Sequence, residues 1–166
     1  MRTNVQTCRP SHRRNNPHKS YCINANRLRS VKSINDLGVT SNDSLTWSEH
    51  INKICKRSNS LLYIFNKAFS NLSPETTRKL YVTYIRPHLE YDSAVWYPIL
   101  RRDANLLDQK QRRASRLGYG IRRPSYAERL TIMNLELVSR RLRKIDLITT
   151  YKIPRSKFKM PRIFST

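Results

Sequence analysis

The stretch TWSEHINKICKRSNSLLYIFNKA, from Thr46 to Ala68, has the apolar spacing of an amphipathic helix. Thr46, followed three positions later by Glu49, predicts a capping box at the start of this helix. Cys55 is expected to be a small buried apolar side chain. The predicted apolar face contains Ile51, Ile54, Leu61, Phe65 and Ala68. A helix with one such face needs other elements to cover it, and the flanking sequence supplies candidates.

A second helix is predicted after this stretch. Ser73 can cap its first turn, and Pro74 follows at the position where a missing backbone N–H costs least. We expect this helix to end near Pro87, because proline removes a hydrogen bond inside a helix. Aromatic residues gather around Pro87, and we expect most of them to form core: Tyr81, Tyr84, Tyr91, Trp96 and Tyr97.

Three further helices complete the predicted helical region. One covers about residues 103–118, and the last covers roughly residues 136–151. Between them, Ser125 and Glu128 form a second capping box for a short helix that ends near Met133. The inward-facing residues of the two longer helices are expected to be Leu107, Ala114, Leu117, Val138, Leu142, Ile145 and Ile148.

The N-terminal region has a different pattern, with short β-prone runs instead of helical spacing. These runs are residues 21–23, 28–34 and 37–39, and Asn24-Ala25-Asn26 separates the first two as a turn would. The predicted fold class is therefore mainly α, with a small N-terminal antiparallel hairpin or meander followed by a bundle of about five helices. The predicted organisation is a basic arm (1–19), a β-hairpin (20–40), a helical domain (41–153) and a basic tail (154–166).

Composition restricts the function classes. The formal net charge is +22, from 33 Lys and Arg against 11 Asp and Glu, which favours a polyanion as partner. The chain has only eleven acidic residues, and no two aspartates are adjacent in sequence, which argues against a complete two-metal site. Three irregularly spaced cysteines predict no disulfide framework and a reducing compartment, the cytoplasm or nucleus. The sequence shows no signal peptide and no apolar run long enough for a membrane span.

A series of short motifs, in a fixed order, carries a family resemblance. It begins with Val31 to Val39 and Trp47, continues with Ile85-Arg86-Pro87 and Leu89-Glu90-Tyr91, and reaches Gln111-Arg112-Arg113-Ala114 and Tyr151-Lys152. Over about residues 5–153 the chain resembles the region after the catalytic centre in reverse transcriptases of non-LTR (LINE-type, jockey-like) retrotransposons. Thr7 stands where that family usually has a lysine before the cysteine that matches Cys8.

The resemblance implies a fold, a binding partner and a catalytic domain that is separate from this region. It implies that Leu37-Gly38 lies in the hairpin that holds the primer's 3′ end, and that the helices are thumb-like and hold the template–primer duplex. It also offers an alternative for residues 1–19, which would be a remnant of the palm instead of a basic arm. The family's catalytic aspartates, which bind Mg²⁺ in the full-length enzyme, have no counterpart in this sequence. The expected partner is therefore an RNA–DNA hybrid or duplex DNA, together with an upstream palm domain, and no cofactor is expected in this chain.

Two other groups of residues have side chains of the types found in catalytic or zinc sites. Glu90 and Asp92 are the nearest approach to a carboxylate pair, and we expect them to be structural instead of catalytic. Cys8, His12, His18 and Cys22 are residue types that bind zinc, but they lack the long interval usual between ligand pairs. We expect this cluster to be incidental, and no metal site is predicted.

Basic residues on the predicted helices are the favoured functional candidates. Arg112 and Arg116 are four positions apart, so they are predicted to share a helix face. The complete predicted set for nucleic-acid contact is Leu37, Gly38, Arg112, Arg113, Arg116, Arg122, Arg123, Arg140, Arg141, Arg143 and Lys144. The alternative is an ordinary solvated helix face, but so few acids cannot neutralise so many bases locally.

Three functional hypotheses follow from the sequence. The favoured one is a non-catalytic, thumb-like fragment of an RNA-directed DNA polymerase that binds duplex through its phosphates. The second is a retrotransposon relic with no selected activity. The third is the C-terminal part of an enzyme whose palm is encoded upstream.

Overall fold

The computed structural model describes residues 6–8, 22–23, 26–27, 29–44, 46–98, 100–119 and 124–153. The six short strands are β1 (Gln6–Cys8), β2 (Cys22–Ile23), β3 (Asn26–Arg27), β4 (Arg29–Val31), β5 (Ser33–Asp36) and β6 (Val39–Asn42). The helices are α1 (Ser48–Ala68), α2 (Pro74–Leu80), a π-helical turn (Tyr81–Ile85), α3 (Arg86–Glu90), α4 (Ser93–Trp96), α5 (Arg101–Ala114), α6 (Tyr126–Ile132) and α7 (Val138–Lys152). The predicted class, mainly α with a small N-terminal antiparallel hairpin, is confirmed.

The strands pair in twos. β5 and β6 form an antiparallel hairpin in which Asp36 pairs with Val39, so Leu37 and Gly38 are its turn instead of the start of a strand. β2 and β3 pair antiparallel on either side of positions 24–25, where a turn was predicted. β1 pairs in parallel with β4, which the sequence had not indicated. The hairpin extends to Asn42, two residues beyond the predicted end.

α1 begins later than predicted, and the predicted Thr46–Glu49 capping box is wrong. Trp47 is the N-cap and makes no side-chain cap. The Thr46 hydroxyl instead accepts a hydrogen bond from the Asn42 side chain at 2.7 Å, and Glu49 accepts one from the Ser33 hydroxyl at 3.3 Å. Both partners belong to the hairpin, so the two polar residues bind β5 and β6 to the start of α1.

The second predicted helix begins as expected and ends later. The Ser73 side chain accepts the Thr76 backbone N–H, and Pro74 is the first helical residue. Helical structure continues past Pro87 to Glu90 because a π-helical turn intervenes. That turn places Pro87 in the first turn of α3, where no backbone donor is required.

The later helices follow the prediction closely. The Ser125–Glu128 capping box is present and starts α6, which ends at Ile132. α5 ends at Ala114, earlier than expected, and turns follow to Gly118. α4 was not predicted, since four residues leave too little periodic pattern to recognise.

The core forms where α3 and α5 lie between the two long helices. α1 contacts β6, α3 and α5, while α7 contacts α3, α4 and α5. Trp96, Tyr81 and Cys55 are buried, as predicted, but Tyr84 and Tyr91 are exposed. On α1 it is Leu62, not Leu61, that is fully buried, and Ala68 is exposed, so the apolar face is rotated slightly from the predicted one. Ile148, expected to face inward, is also exposed.

Candidate nucleic-acid interface

Most of the acidic residues of this chain form ion pairs or hydrogen bonds within the chain. All eleven Asp and Glu residues lie among the described residues. Four of them form ion pairs, with Lys79, Arg102, Arg141 and Lys144. Four more accept hydrogen bonds from serine side chains or backbone amides: Asp43, Glu49, Asp108 and Glu128. Most of the 33 Lys and Arg therefore have no carboxylate to neutralise them.

Gln111 of α5 connects this helix to α6 and α7 through side-chain hydrogen bonds. Its side chain is 1% exposed and donates to the Glu136 backbone carbonyl at 2.8 Å. Its Oε1 accepts from the Tyr126 hydroxyl and from the Val138 backbone N–H, both at 3.2 Å. Burial, and then the charge of Asp108, raise the pKa of Tyr126 to about 12, so its hydroxyl remains a donor. These hydrogen bonds hold the end of α5, which carries Arg112 and Arg113, against α6 and α7.

The three arginines at the end of α5 point to different neighbours. Arg112 lies over the Tyr126 ring of α6, 5.6 Å from its centroid. Arg113 and Arg116 line a cavity of about 500 Å³ against the second half of α1, together with Tyr63 and Asn66. All three guanidinium groups are on exposed residues. The predicted helix face shared by Arg112 and Arg116 is not formed, because α5 ends at Ala114 and Arg116 lies in the turns that follow. Arg113 and Arg116 line the same cavity.

We call this space the α1–α5 cavity. Its walls come from the second half of α1, from the connection between α1 and α2, and from the end of α5 with the turns that follow. The polar and aromatic residues that line it are Tyr63, Asn66, Ser70, Asn71, Arg113, Arg116 and Tyr119. Leu62, Leu72 and Leu117 supply the apolar part of the lining.

Two of the predicted binding residues on α7 are already paired with acids. The Arg141 guanidinium donates to both carboxylate oxygens of Glu90, at 2.6 and 3.0 Å, which links α7 to α3. This carboxylate raises the pKa of Arg141 further above its usual range. Lys144 lies 2.8 Å from a carboxylate oxygen of Glu136. Arg140 and Arg143 are exposed and form no ion pair with any described residue.

Leu37 and Gly38 lie beside a second basic cavity. Both have positive φ, 46° and 91°, and the Leu37 side chain is 84% exposed. The Tyr91 hydroxyl donates to the Leu37 carbonyl at 3.0 Å and fixes the turn against α3 and α4. A cavity of about 500 Å³ lies beneath it, and we call this the hairpin cavity. Its lining includes Asn35, Gly38, Lys53, Arg57, His88 and Tyr91.

Burial, followed by a nearby positive charge, lowers the pKa of both histidines of the hairpin cavity. Arg57 Nε donates to His88 Nε2 at 3.4 Å, and burial followed by the Arg57 charge lowers the pKa of His88. His50 Nδ1 accepts the Thr40 backbone N–H at 3.2 Å, and burial followed by Lys53 lowers its pKa. Lys53 and Arg57 are the basic side chains of α1 that line this cavity. Neither was predicted, although their spacing of four positions on α1 is a sign of a shared helix face.

The remaining predictions have mixed outcomes. Arg122 and Arg123 lie outside the described residues, as do His12 and His18. Glu90 is the ion-pair partner of Arg141, and Asp92 is exposed at the turn before α4 with φ of 52°. Within the described ranges, no group of three or more His, Cys, Asp or Glu side chains is placed to hold a metal ion. Burial raises the pKa of the Cys55 thiol to about 11, so it is not a ready nucleophile.

Comparison of the chain with models of protein families, with curated proteins and with solved structures gave no significant match. In the part of the chain that the structure describes, no helix has both the length and the apolar character that crossing a bilayer requires.

Proposed function

We propose that this chain binds nucleic-acid duplex through its backbone phosphates, as the non-catalytic, thumb-like part of a retroelement RNA-directed DNA polymerase. The main observation behind this proposal is that most acidic side chains are engaged in contacts within the chain, while many basic side chains are not. All eleven acids lie in the described residues and at least eight are held by internal contacts, while Arg113, Arg116, Arg140 and Arg143 remain exposed. A surface of one sign is stabilised when phosphates replace its counterions.

The two basic cavities support the same function. Lys53 and Arg57 line the hairpin cavity, next to the turn that the family resemblance assigns to the primer's 3′ end. Arg113 and Arg116 line the α1–α5 cavity on another side of α1. Arginine can bind phosphate oxygens with two parallel hydrogen bonds, so guanidinium groups that line a cavity are suited to a phosphate. Recognition of this kind depends on shape and charge, with little reading of base sequence.

The test is the salt dependence of binding. Fluorescence anisotropy with a blunt RNA–DNA hybrid and a blunt DNA duplex should give an affinity that falls steeply as salt rises. The log–log slope should be about −0.9 for each phosphate neutralised on duplex DNA. An affinity that is the same at low and high salt would refute the electrostatic mechanism.

A primer-extension assay tests the catalytic alternative, in which this chain belongs to a complete active site. With Mg²⁺, a primed template and nucleoside triphosphates, we expect the chain alone to give no product. Extension of the primer by the purified chain would replace the non-catalytic proposal with an enzymatic one.

A further inference from the structure

We propose that the α1–α5 cavity binds one unpaired nucleotide of a nucleic-acid strand, next to the duplex region. This inference rests on the proposed function, since it adds a separate single-stranded site to a duplex-binding chain. Its volume of about 500 Å³ falls within the range of roughly 300–1,000 Å³ that is usual for sites of small ligands. A space of that size admits a single nucleotide and not a double helix.

The phosphate would be bound by Arg113 and Arg116. Arg113 lies in the last turn of α5 and Arg116 in the turns that follow, and both line the same cavity, so one anion in the cavity can be contacted by both guanidinium groups. Neither forms an ion pair with a described residue, and every Asp and Glu of the chain is among those residues. Their charge is therefore available to a ligand.

The base would be bound by the α1 side of the cavity. Tyr63 lines the cavity and is 61% exposed, so its ring can contact a base, and Lys67 Nζ lies 6.0 Å from the ring centroid. Asn66 and Asn71 line the same cavity, and each side-chain amide offers a donor and an acceptor to a base edge. A phosphate anchor, an aromatic surface and amides at one location are the requirements of single-strand recognition.

The cavity is separate from the proposed primer-end region. The hairpin cavity is lined by β5, the hairpin turn, the first half of α1 and α3, whereas the α1–α5 cavity is lined by the second half of α1, the connection after it, and α5 with the turns that follow. Loss of Arg116 from the α1–α5 cavity should therefore weaken duplex binding only by one phosphate contact, while it removes the preference for an unpaired nucleotide. This separation makes the two proposals distinguishable by experiment.

The test compares a blunt DNA duplex with the same duplex carrying a short unpaired overhang at the 3′ or the 5′ end. Anisotropy titrations of the full chain at one salt concentration should show at least about five-fold tighter binding with one of the overhangs, as one stacked base provides. Arg116→Gln and Tyr63→Leu should remove this preference, and Tyr63→Phe should retain it.

The matched control is Arg101→Gln, which removes the same charge from the exposed first turn of α5. It should lower the affinity for blunt and overhanging duplexes equally. Circular dichroism checks that each variant is folded. If the wild-type chain binds both duplexes with equal affinity, or if Arg116→Gln behaves as Arg101→Gln does, the nucleotide site is refuted and the duplex proposal stands. If neither duplex is bound, both proposals are refuted.

Discussion

His50 shows how one residue can make the hairpin sensitive to pH. Its ring is buried, lies 5.2 Å from Trp96, and accepts the Thr40 backbone N–H through Nδ1. The proton must then be on Nε2, which is buried and has no hydrogen-bond partner among the described residues. A second proton on Nδ1 would break the only hydrogen bond that the ring makes to the hairpin.

We predict that the free energy of unfolding falls as the pH decreases below about 6.5, the ordinary pKa of histidine. Burial lowers the pKa of His50 in the folded chain, with Lys53 adding to the effect and Asp92 opposing it. The unfolded chain therefore binds a proton that the folded chain does not, at a cost of up to about 1.4 kcal/mol per pH unit. Urea denaturation at neutral and mildly acidic pH measures this effect.

The control for this prediction is His50→Asn, whose side-chain oxygen can still accept the Thr40 N–H but does not titrate. This variant should lose part of the pH dependence, and His88→Asn should remove a smaller part, because burial and Arg57 lower the pKa of His88 as well. A pH dependence that is unchanged in both variants would assign the effect to other groups.

Arg140 and Arg141 are neighbours in sequence with different roles in the structure. We predict that Arg141→Gln lowers the free energy of unfolding by roughly 1–3 kcal/mol, because it breaks two charged hydrogen bonds to the largely buried Glu90. Arg140→Gln should leave stability unchanged and should reduce the magnitude of the salt slope of duplex binding by about 1. Denaturant titration and anisotropy measure the two effects on each variant.

The outcome that would contradict this assignment is an exchange of roles. If Arg141→Gln were as stable as the wild type and weakened duplex binding, then its pairing with Glu90 would be dispensable. Glu90→Gln provides the independent check, since it should destabilise the chain without removing a positive charge.

Among the elements, the β5–β6 hairpin combines an unfavourable turn with an exposed apolar side chain. We predict that Leu37→Asn raises the free energy of unfolding by up to about 1 kcal/mol, since a left-handed backbone costs an ordinary residue roughly 1–2 kcal/mol and asparagine less. The same change should weaken duplex binding if the exposed leucine contacts the nucleic acid. Thermal denaturation and anisotropy of one variant test both statements.

Gly38→Ala is the matched control in the same turn. Its Cβ would meet Tyr91 at an ordinary 3.5 Å, so the cost comes from the φ of +91° and not from a clash. The variant should therefore lose stability where Leu37→Asn gains it. If Leu37→Asn were less stable than the wild type, the leucine would be a packing residue and not a binding one.

The elements that sequence predicted best are those whose signals are local. Ser73 and Ser125 each cap a helix through a backbone N–H three residues later, and both caps are present. Thr46 and Glu49 have the same spacing, but Asn42 and Ser33 of the hairpin bind them instead. Asn42 is only four residues from Thr46, whereas Ser33 is sixteen from Glu49, and the spacing of Thr46 and Glu49 alone does not show that these partners replace the cap.

The candidate site follows the same rule. The exposure of the arginines at the end of α5 could be predicted from helical spacing and from the shortage of acids. Their neighbours could not, because Tyr126 stacks under Arg112 while Tyr63, from an element some fifty residues earlier, lies at the cavity of Arg113 and Arg116. Arg141 was placed in the binding set because its partner Glu90 is equally distant in sequence.

At the scale of the whole molecule, charge acts on folding and on binding in opposite ways. A net charge of +22 repels itself in the compact state, and dissolved salt screens that repulsion. The same salt competes with the protein for phosphates and weakens its binding to nucleic acid. The folded state of the free chain is therefore favoured by high salt, whereas binding to nucleic acid is favoured by low salt. In the complex, the phosphates themselves neutralise the positive charges.

We predict opposite responses to salt for the free chain and for its complex. Between roughly 50 and 200 mM KCl the melting temperature of the free chain should rise, while its affinity for duplex should fall steeply. At low salt, a stoichiometric duplex should raise the melting temperature above that of the free chain, because the ligand binds the folded state. Differential scanning fluorimetry with and without duplex measures the two melting temperatures and the stabilisation by duplex at each salt concentration.

A double variant, Lys56→Gln with Arg101→Gln, is the control. Its melting temperature in the absence of duplex should depend less on salt, since both side chains are exposed. A free chain whose melting temperature falls as salt rises would show that its positive charges are balanced within the fold, and the electrostatic account of its function would then lose its basis.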